Sequence, residues 1–214
     1  GYFLYVIILL VSQFMQSVSI RSAYQIQKKI LNKSKINCFK VGASNYSSAK
    51  FFGIDGVVLG GLPHSTIFSS GCPNDYSVAE LELVVKIKFD RNTHDDYQIL
   101  AQYIGVECPL IEVENPNGNV VLAIADNCSA GDLLLISDYT GRYNESMKIF
   151  INGIESVHGS FSNLRYSIDE IIKKSLAIIK EHELPCDPEI FIATGGLTEN
   201  FALNKKDHIE IRYE

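Results

Sequence analysis

Residues 78–89 read VAELELVVKIKF, a run in which apolar and charged side chains alternate. Successive side chains of a strand point to opposite faces, so this alternation predicts a β-strand. The strand places Glu80 and Glu82 side by side on one face, between the apolar positions Val78 and Val84. Neighbouring carboxylates in an apolar frame resist ionisation unless a cation lies between them. The pair therefore indicates either a metal site or a solvent-exposed acidic face.

The chain around this strand is predicted to form mostly further strands. Predicted strands cover residues 37–42, 55–63, 108–114, 119–126, 132–137, 189–194 and 209–213, with a hairpin over 148–159. Helical spacing occurs at 22–32, with Ala23, Ile26 and Ile30 on the buried face, and at 95–104. A third helix begins at Ser167, which forms a capping box with Glu170. Without a steady β-α-β order, the pattern predicts an α+β fold, a β-rich sandwich or roll with a few peripheral helices.

Composition restricts the class of function. The chain has 214 residues and a formal net charge of −6, with no cluster of Lys and Arg, so we expect no nucleic-acid surface. Its five cysteines form no C-x-x-C pair, which favours free thiols over a zinc knuckle or a complete disulfide framework. The five histidines are dispersed, which disfavours a histidine metal site.

Residues 1–20 form an apolar leader ahead of a single domain predicted over 21–214. Residues 2–11 are an unbroken apolar run, followed by small and polar residues. This pattern is typical of a signal peptide, but a buried N-terminal segment of the domain is an equal alternative. The run is too short to cross a bilayer as a helix.

Five further positions are candidates for chemistry. A second acidic stretch places Glu112 and Glu114 in an apolar frame, and either could join the first pair on one cation, since spacing does not choose between them. Lys40 ends an apolar strand, where desolvation would lower its pKa and make it an acid or base; the alternative is a surface lysine. Asp126 precedes a turn of small residues, a common location for site residues. Thr194 precedes two glycines whose N–H groups could bind an anion.

These positions fall within short motifs that share an order and spacing with a known family. In chain order the motifs are AYQIQ (23–27), KVGAS (40–44), FGID (52–55), ELEL (80–83), PLIEV (109–113), ADNCSAG (125–131), NG (152–153), ATGG (193–196) and KD (206–207). Over residues 22–213 the chain resembles the fumarylacetoacetate hydrolase superfamily. Within it, the chain is most similar to the branch of 2-hydroxypenta-2,4-dienoate hydratases and 4-oxalocrotonate decarboxylases.

The resemblance implies a metal-dependent lyase of aromatic catabolism. It implies Mg²⁺ or Mn²⁺ held by Glu80, Glu82 and, at the third position, Glu112, with Lys40 as a catalytic residue. The reaction would be hydration of a 2-hydroxy-2,4-dienoate to a 4-hydroxy-2-oxo acid, or decarboxylation of a related 2-oxo diacid. The residues implied to line the substrate pocket are Ser129, Asp126 and Thr194.

The resemblance also implies a homo-oligomer and a cytoplasmic location, with export as the alternative if the leader is cleaved. One departure concerns the reaction itself. Val57 and Val58 occupy positions where the family usually has Pro-Asp. Two alternatives to the lyase are therefore an acylpyruvate-type C–C hydrolase and a catalytically impaired binding protein with the same fold.

Overall fold

The computed structural model describes residues 19–93 and 95–214. All but the last two residues of the predicted leader lie outside the described residues, as does His94. Within the described ranges, no helix is both long enough and apolar enough to cross a membrane.

The described chain is rich in strands. The helices are α1 (described over residues 19–31), α2 (Tyr46–Phe52), α3 (Val120–Ala125) and α4 (Ile168–His182). The strands are β1 (Ile36–Gly42), β2 (Val58–Pro63), β3 (Ile67–Phe68), β4 (Tyr76–Phe89), β5 (Tyr97–Cys108), β6 (Asp132–Asp138), β7 (Ser146–Ile151), β8 (Ile154–Ser160), β9 (Glu189–Gly196), β10 (Phe201–Leu203) and β11 (Ile209–Tyr213). Single 3₁₀ turns occur at His64–Thr66, Asn127–Ser129 and Phe161–Asn163.

Two sheets organise these strands. The larger has the order β2-β1-β9-β4-β5-β6-β3, and β10 pairs with β4. β4 is central and antiparallel to both β5 and β9, whereas β1 runs parallel to β9. The smaller sheet has the order β11-β7-β8. The predicted α+β class and the predicted strand at 78–89 are confirmed, and β4 extends two residues further at its start.

Helix α4 covers the core as predicted. Ser167 Oγ accepts the N–H of Glu170, and the Glu170 carboxylate accepts the N–H of Ser167, which completes the capping box. The helix contacts β2 and β9. Its buried stripe consists of Ile168, Ile171, Ile172, Ser175, Leu176, Ile179 and His182. The helix therefore closes one side of the sheet that carries the acidic residues.

Three predictions of local structure were wrong. Residues 95–104 were predicted as a helix, but most of them belong to β5, which pairs with β4 on one side and β6 on the other. Those two ladders outweigh the weak helical spacing of the segment. Residues 108–114 were predicted as a strand, but β5 ends at Cys108, because Pro109 has no N–H to donate to a ladder.

The third error concerns residues 119–126, which form helix α3 rather than a strand. Asn119 caps this helix, since its side chain accepts the N–H of Leu122 at 3.0 Å. Val120 and Ile124, four residues apart, are the buried pair of the helix. A cap and one buried face are sufficient here to outweigh the strand propensity of a short valine-rich segment.

Helix α1 was predicted correctly, but of its predicted buried face only Ala23 is buried. Ile26 and Ile30 are 50% and 40% exposed. The buried positions instead include Tyr24 and Gln27. The Gln27 amide donates to the carbonyls of Leu59 and Ile124 at 2.6 and 3.1 Å. A buried polar residue whose amide N–H groups donate inside the protein therefore hides the true face from a hydrophobic pattern.

Candidate metal centre and substrate pocket

Three carboxylates converge where β4 and β5 pair. Glu80 lies directly opposite Glu107 in the antiparallel register, so the two side chains share a face of the sheet. Glu82 is two residues along β4 and points to the same side. One carboxylate oxygen from each of the three lies within 4.8 Å of the others. Glu82 and Glu107 are only 2% and 1% exposed, so this is a buried acidic cluster.

The end of β9 orients one of these carboxylates. Glu82 Oε2 accepts the N–H of Gly195 at 3.0 Å. Gly195 has a φ of +114°, and a Cβ there would lie 1.8 Å from Ser44 Oγ, so only glycine fits. Ser44 Oγ in turn donates to the carbonyl of Thr194 at 2.7 Å, which holds the strand end in place.

Lys40 on β1 supplies the positive charge of the cluster. Its Nζ lies 2.9 Å from Glu107 Oε1, and both side chains are largely buried. Burial is the largest single influence and would lower the pKa of Lys40, but the Glu107 carboxylate, with smaller contributions from Cys128 and Glu82, outweighs it, and the net pKa is raised. The sequence-based expectation of a lowered pKa was therefore wrong in direction, because the ion partner was not foreseen.

One lysine does not neutralise three acids. Burial, and next the charge of Glu107, raise the pKa of Glu80 to about 7, although Lys40 opposes the shift. Burial, followed by the charges of Glu107 and Glu80, also raises the pKa of Glu82 well above its usual range. A divalent cation would remove this penalty, and carboxylate oxygens are the ligands that Mg²⁺ and Mn²⁺ prefer. The residues present therefore fit a hard divalent cation.

A cavity of about 430 Å³ opens beside the cluster. The predicted site residues that line it are Lys40, Glu80, Glu82, Asp126 and Ser129. Glu107, which sequence reasoning missed, lines it as well. Thr194 does not: it is fully buried, and its hydroxyl donates to the carbonyl of Leu83 at 2.9 Å.

The loop that presents Asp126 and Ser129 is clamped to β2. The Asn127 side chain both accepts the N–H and donates to the carbonyl of Gly61, each at 2.8 Å. Residues 127–129 all have positive φ, between 52° and 53°, a conformation that the clamp maintains. Gly60 permits the approach, since a Cβ there would lie 2.3 Å from the Asn127 carbonyl oxygen.

Glu112 does not join the acidic cluster. It is exposed, in the irregular segment that follows Pro109, and it does not line the cavity. The structure brings Glu107 to the pair instead, five residues earlier in the chain. This arrangement follows from the position of β5, since a strand over 97–108 places Glu107 across from Glu80. The structure also finds all five cysteines free, as expected.

Comparison with known proteins identifies the fold through solved structures alone. No protein-family model matches the chain, and no curated protein matches it. The structure of 4-oxalocrotonate decarboxylase from Pseudomonas putida G7, complexed with magnesium and adipate, superposes with a TM-score of 0.73. It is 18% identical, over 91% of this chain and 82% of that one.

Two further structures have the same architecture. A Yersinia pestis CO92 protein described as a fumarylacetoacetate hydrolase family protein has a TM-score of 0.56 at 16% identity, over 84% of this chain and 89% of that one. Maleylpyruvate hydrolase from Sphingobium sp. SYK-6 has a TM-score of 0.51 at 13% identity, over 83% and 66% of the two chains. The chain therefore has the fold of the fumarylacetoacetate hydrolase superfamily.

Proposed function

We propose that this protein is a divalent-metal-dependent enzyme that acts on a small 2-oxo or 2-hydroxy acid. Mg²⁺ or Mn²⁺ is held by Glu80, Glu82 and Glu107. Glu107 takes the place of Glu112, which the family resemblance implies as the third ligand. The observation that carries the proposal is the convergence of three largely buried carboxylates on one cavity, where Lys40 is the one cation among the described lining residues.

The reaction we propose is that of a lyase: hydration of a 2-hydroxy-2,4-dienoate, or decarboxylation of a related 2-oxo diacid. The fold supports this choice, since one protein that shares it is a decarboxylase solved with magnesium and a dicarboxylate. When bound, the cation acts as a Lewis acid that favours negative charge on the C2 oxygen of the substrate.

Three side chains of the pocket can transfer protons to the substrate or orient it. Lys40 Nζ lies 2.9 Å from Glu107 Oε1, and its side chain lines the cavity, so its ammonium is the group that can donate to a substrate oxygen. Burial, and next the charge of Glu112, raise the pKa of Asp126. Because Asp126 also lines the cavity, its carboxyl group can exchange protons with a bound substrate. Ser129, on the clamped loop, offers a hydroxyl that orients the bound acid.

Titration with Mg²⁺ and Mn²⁺ tests the metal site. Calorimetry on the wild-type chain should show binding that Glu107→Gln reduces by more than ~100-fold, since even residues that only orient a ligand cost 10–100-fold when changed. Glu112→Gln is the matched control and should bind as the wild type does. Loss only in Glu112→Gln would return the third ligand to Glu112, and equal loss in both variants would contradict Glu107 as the specific third ligand.

The loss of dienol absorbance on addition of 2-hydroxydienoates tests the reaction. We expect turnover that requires the metal and disappears in Glu107→Gln. Metal binding without turnover of any 2-hydroxydienoate or 2-oxo diacid would instead identify a binding protein with this fold.

A C–C hydrolase of acylpyruvate type is the second candidate. The likeness to maleylpyruvate hydrolase supports it. The usual His-Glu pair that activates water has no counterpart here, because no histidine of the described residues lines the cavity. Chromatography of the products separates the two candidates: the hydrolase releases two acids from an acylpyruvate, and the lyase releases none.

A further inference from the structure

We propose that the pocket selects a monocarboxylic substrate with an uncharged, apolar distal end, and discriminates against a dicarboxylate of equal length. The inference rests on the proposed function, since it assumes that the 2-oxo acid head binds at the glutamate cluster. It favours one of the two lyase reactions, the hydration of a monocarboxylic dienoate.

The charges around the cavity provide the first argument. Lys40 is the only cation among the described residues that line the cavity, and Glu107 already pairs with it. Glu80, Glu82 and Asp126 are the other charged residues of the lining. With a divalent ion bound, the four acids and the one lysine leave a formal charge of −1. A second carboxylate on the substrate would therefore enter a negative cavity without a cationic partner, which costs affinity.

The apolar lining provides the second argument. Phe51 on α2, Ile111 and Val113 after β5, and Leu122 on α3 all line this cavity, although they come from separate parts of the chain. All four are exposed to solvent in the described structure. Exposed apolar side chains that converge on one cavity mark a binding surface for an apolar group.

The inner wall continues the apolar character. Val58 is buried and lines the cavity from β2, at a position that offers no charge to a substrate. The volume of about 430 Å³ lies within the range of pockets that hold a whole small ligand rather than a head group alone. The cavity thus has room for an apolar tail and apolar surface to bind it, whereas a distal carboxylate would find no cation besides Lys40 among the described lining residues.

A pair of six-carbon acids tests the inference directly. 2-Oxohexanoate and 2-oxoadipate have the same length and the same head, and differ only in the distal carboxylate. Calorimetry on the wild-type chain with saturating Mg²⁺ should show that 2-oxohexanoate binds at least ~10-fold more tightly than 2-oxoadipate. This is the penalty expected for one unpaired charge at a partly solvated site.

A positive charge added to the cavity lining should weaken this preference. Leu122→Lys adds a cation to the lining, and we expect it to raise the affinity for 2-oxoadipate about tenfold relative to 2-oxohexanoate. Leu100→Lys is the matched control, because Leu100 is exposed to a similar extent, 41% against 38%, but does not line the cavity. Thermal unfolding of both variants verifies that each is folded.

The outcomes separate the two proposals. Mg²⁺ binding together with equal or tighter binding of 2-oxoadipate by the wild type would overturn the selectivity and leave the metal site intact. The same holds if Leu122→Lys and Leu100→Lys change the ratio equally. Absence of Mg²⁺ binding would overturn the proposed function, and the selectivity with it.

Discussion

The metal-free protein should lose stability as the pH rises from about 5 to 8, and Glu80 should account for much of the loss. Its pKa is about 7 in the folded chain against an ordinary value of 4.5. Because the folded pKa is the higher one, the contribution of Glu80 to stability is fully present below about 4.5 and is lost as the pH rises through about 7. At 1.36 kcal/mol per pKa unit, this difference corresponds to a loss of about 3 kcal/mol.

Urea unfolding in EDTA at pH 5, 6, 7 and 8 measures this effect. Glu80→Gln removes the titrating group, so the difference in unfolding free energy between wild type and variant should change by about 3 kcal/mol over this range. Glu114→Gln, an exposed acid outside the cavity, is the control and should leave the pH profile unchanged. Saturating Mg²⁺ should stabilise the wild type more at pH 8 than at pH 5, because protons compete with the metal for carboxylates.

A wild-type chain that gains stability between pH 5 and 8, while Glu80→Gln behaves in the same way, would contradict a raised pKa of Glu80. Such a result would mean that the carboxylate of Glu80 is solvated and ionised in the metal-free protein. The cluster would then have no electrostatic need for a cation, whatever the fold.

Three further substitutions test individual contacts, each by urea unfolding. Lys40→Met leaves Glu107 buried without its ion partner, and should cost about 3–5 kcal/mol without metal, part of which Mg²⁺ restores; an unchanged midpoint would contradict the ion pair. Gly195→Ala should cost more than about 2 kcal/mol and weaken Mg²⁺ binding. Gly153→Ala is the control, because Gly153 also has a positive φ but a Cβ there would meet no atom within 4 Å. It should cost only the backbone strain and leave Mg²⁺ binding unchanged. Thr194→Val should cost about 1–3 kcal/mol, because the buried carbonyl that accepts its hydroxyl loses a donor, and should leave the binding of 2-oxohexanoate unchanged; a selective loss of ligand affinity would return Thr194 to the pocket.

Local features of the chain were predictable where one short segment contains its own signal. Alternation over 78–89 identified β4 and put Glu80 and Glu82 on one face. Ser167 and Glu170 identified the start of α4, because a capping box is satisfied by atoms only three residues apart. Lys40 was placed correctly at the end of a strand, since an apolar run that ends in glycine requires no distant partner to be recognised.

The remaining features depended on partners distant in sequence. Residues 97–108 form a strand because β4 and β6 lie on either side of it, and the segment itself has misleading helical spacing. Without that strand, Glu107 could not be placed opposite Glu80, and Glu112 was chosen in its place. The raised pKa of Lys40 has the same origin, since its cause is the carboxylate of Glu107.

The sequence by itself thus determined that two glutamates share a strand face in an α+β protein, because side-chain direction along a strand follows from its two-residue period. Only the tertiary structure decided which third acid joins them and which residues line the cavity. Strand register and loop packing bring together groups that are far apart along the chain, and no local pattern encodes those distances.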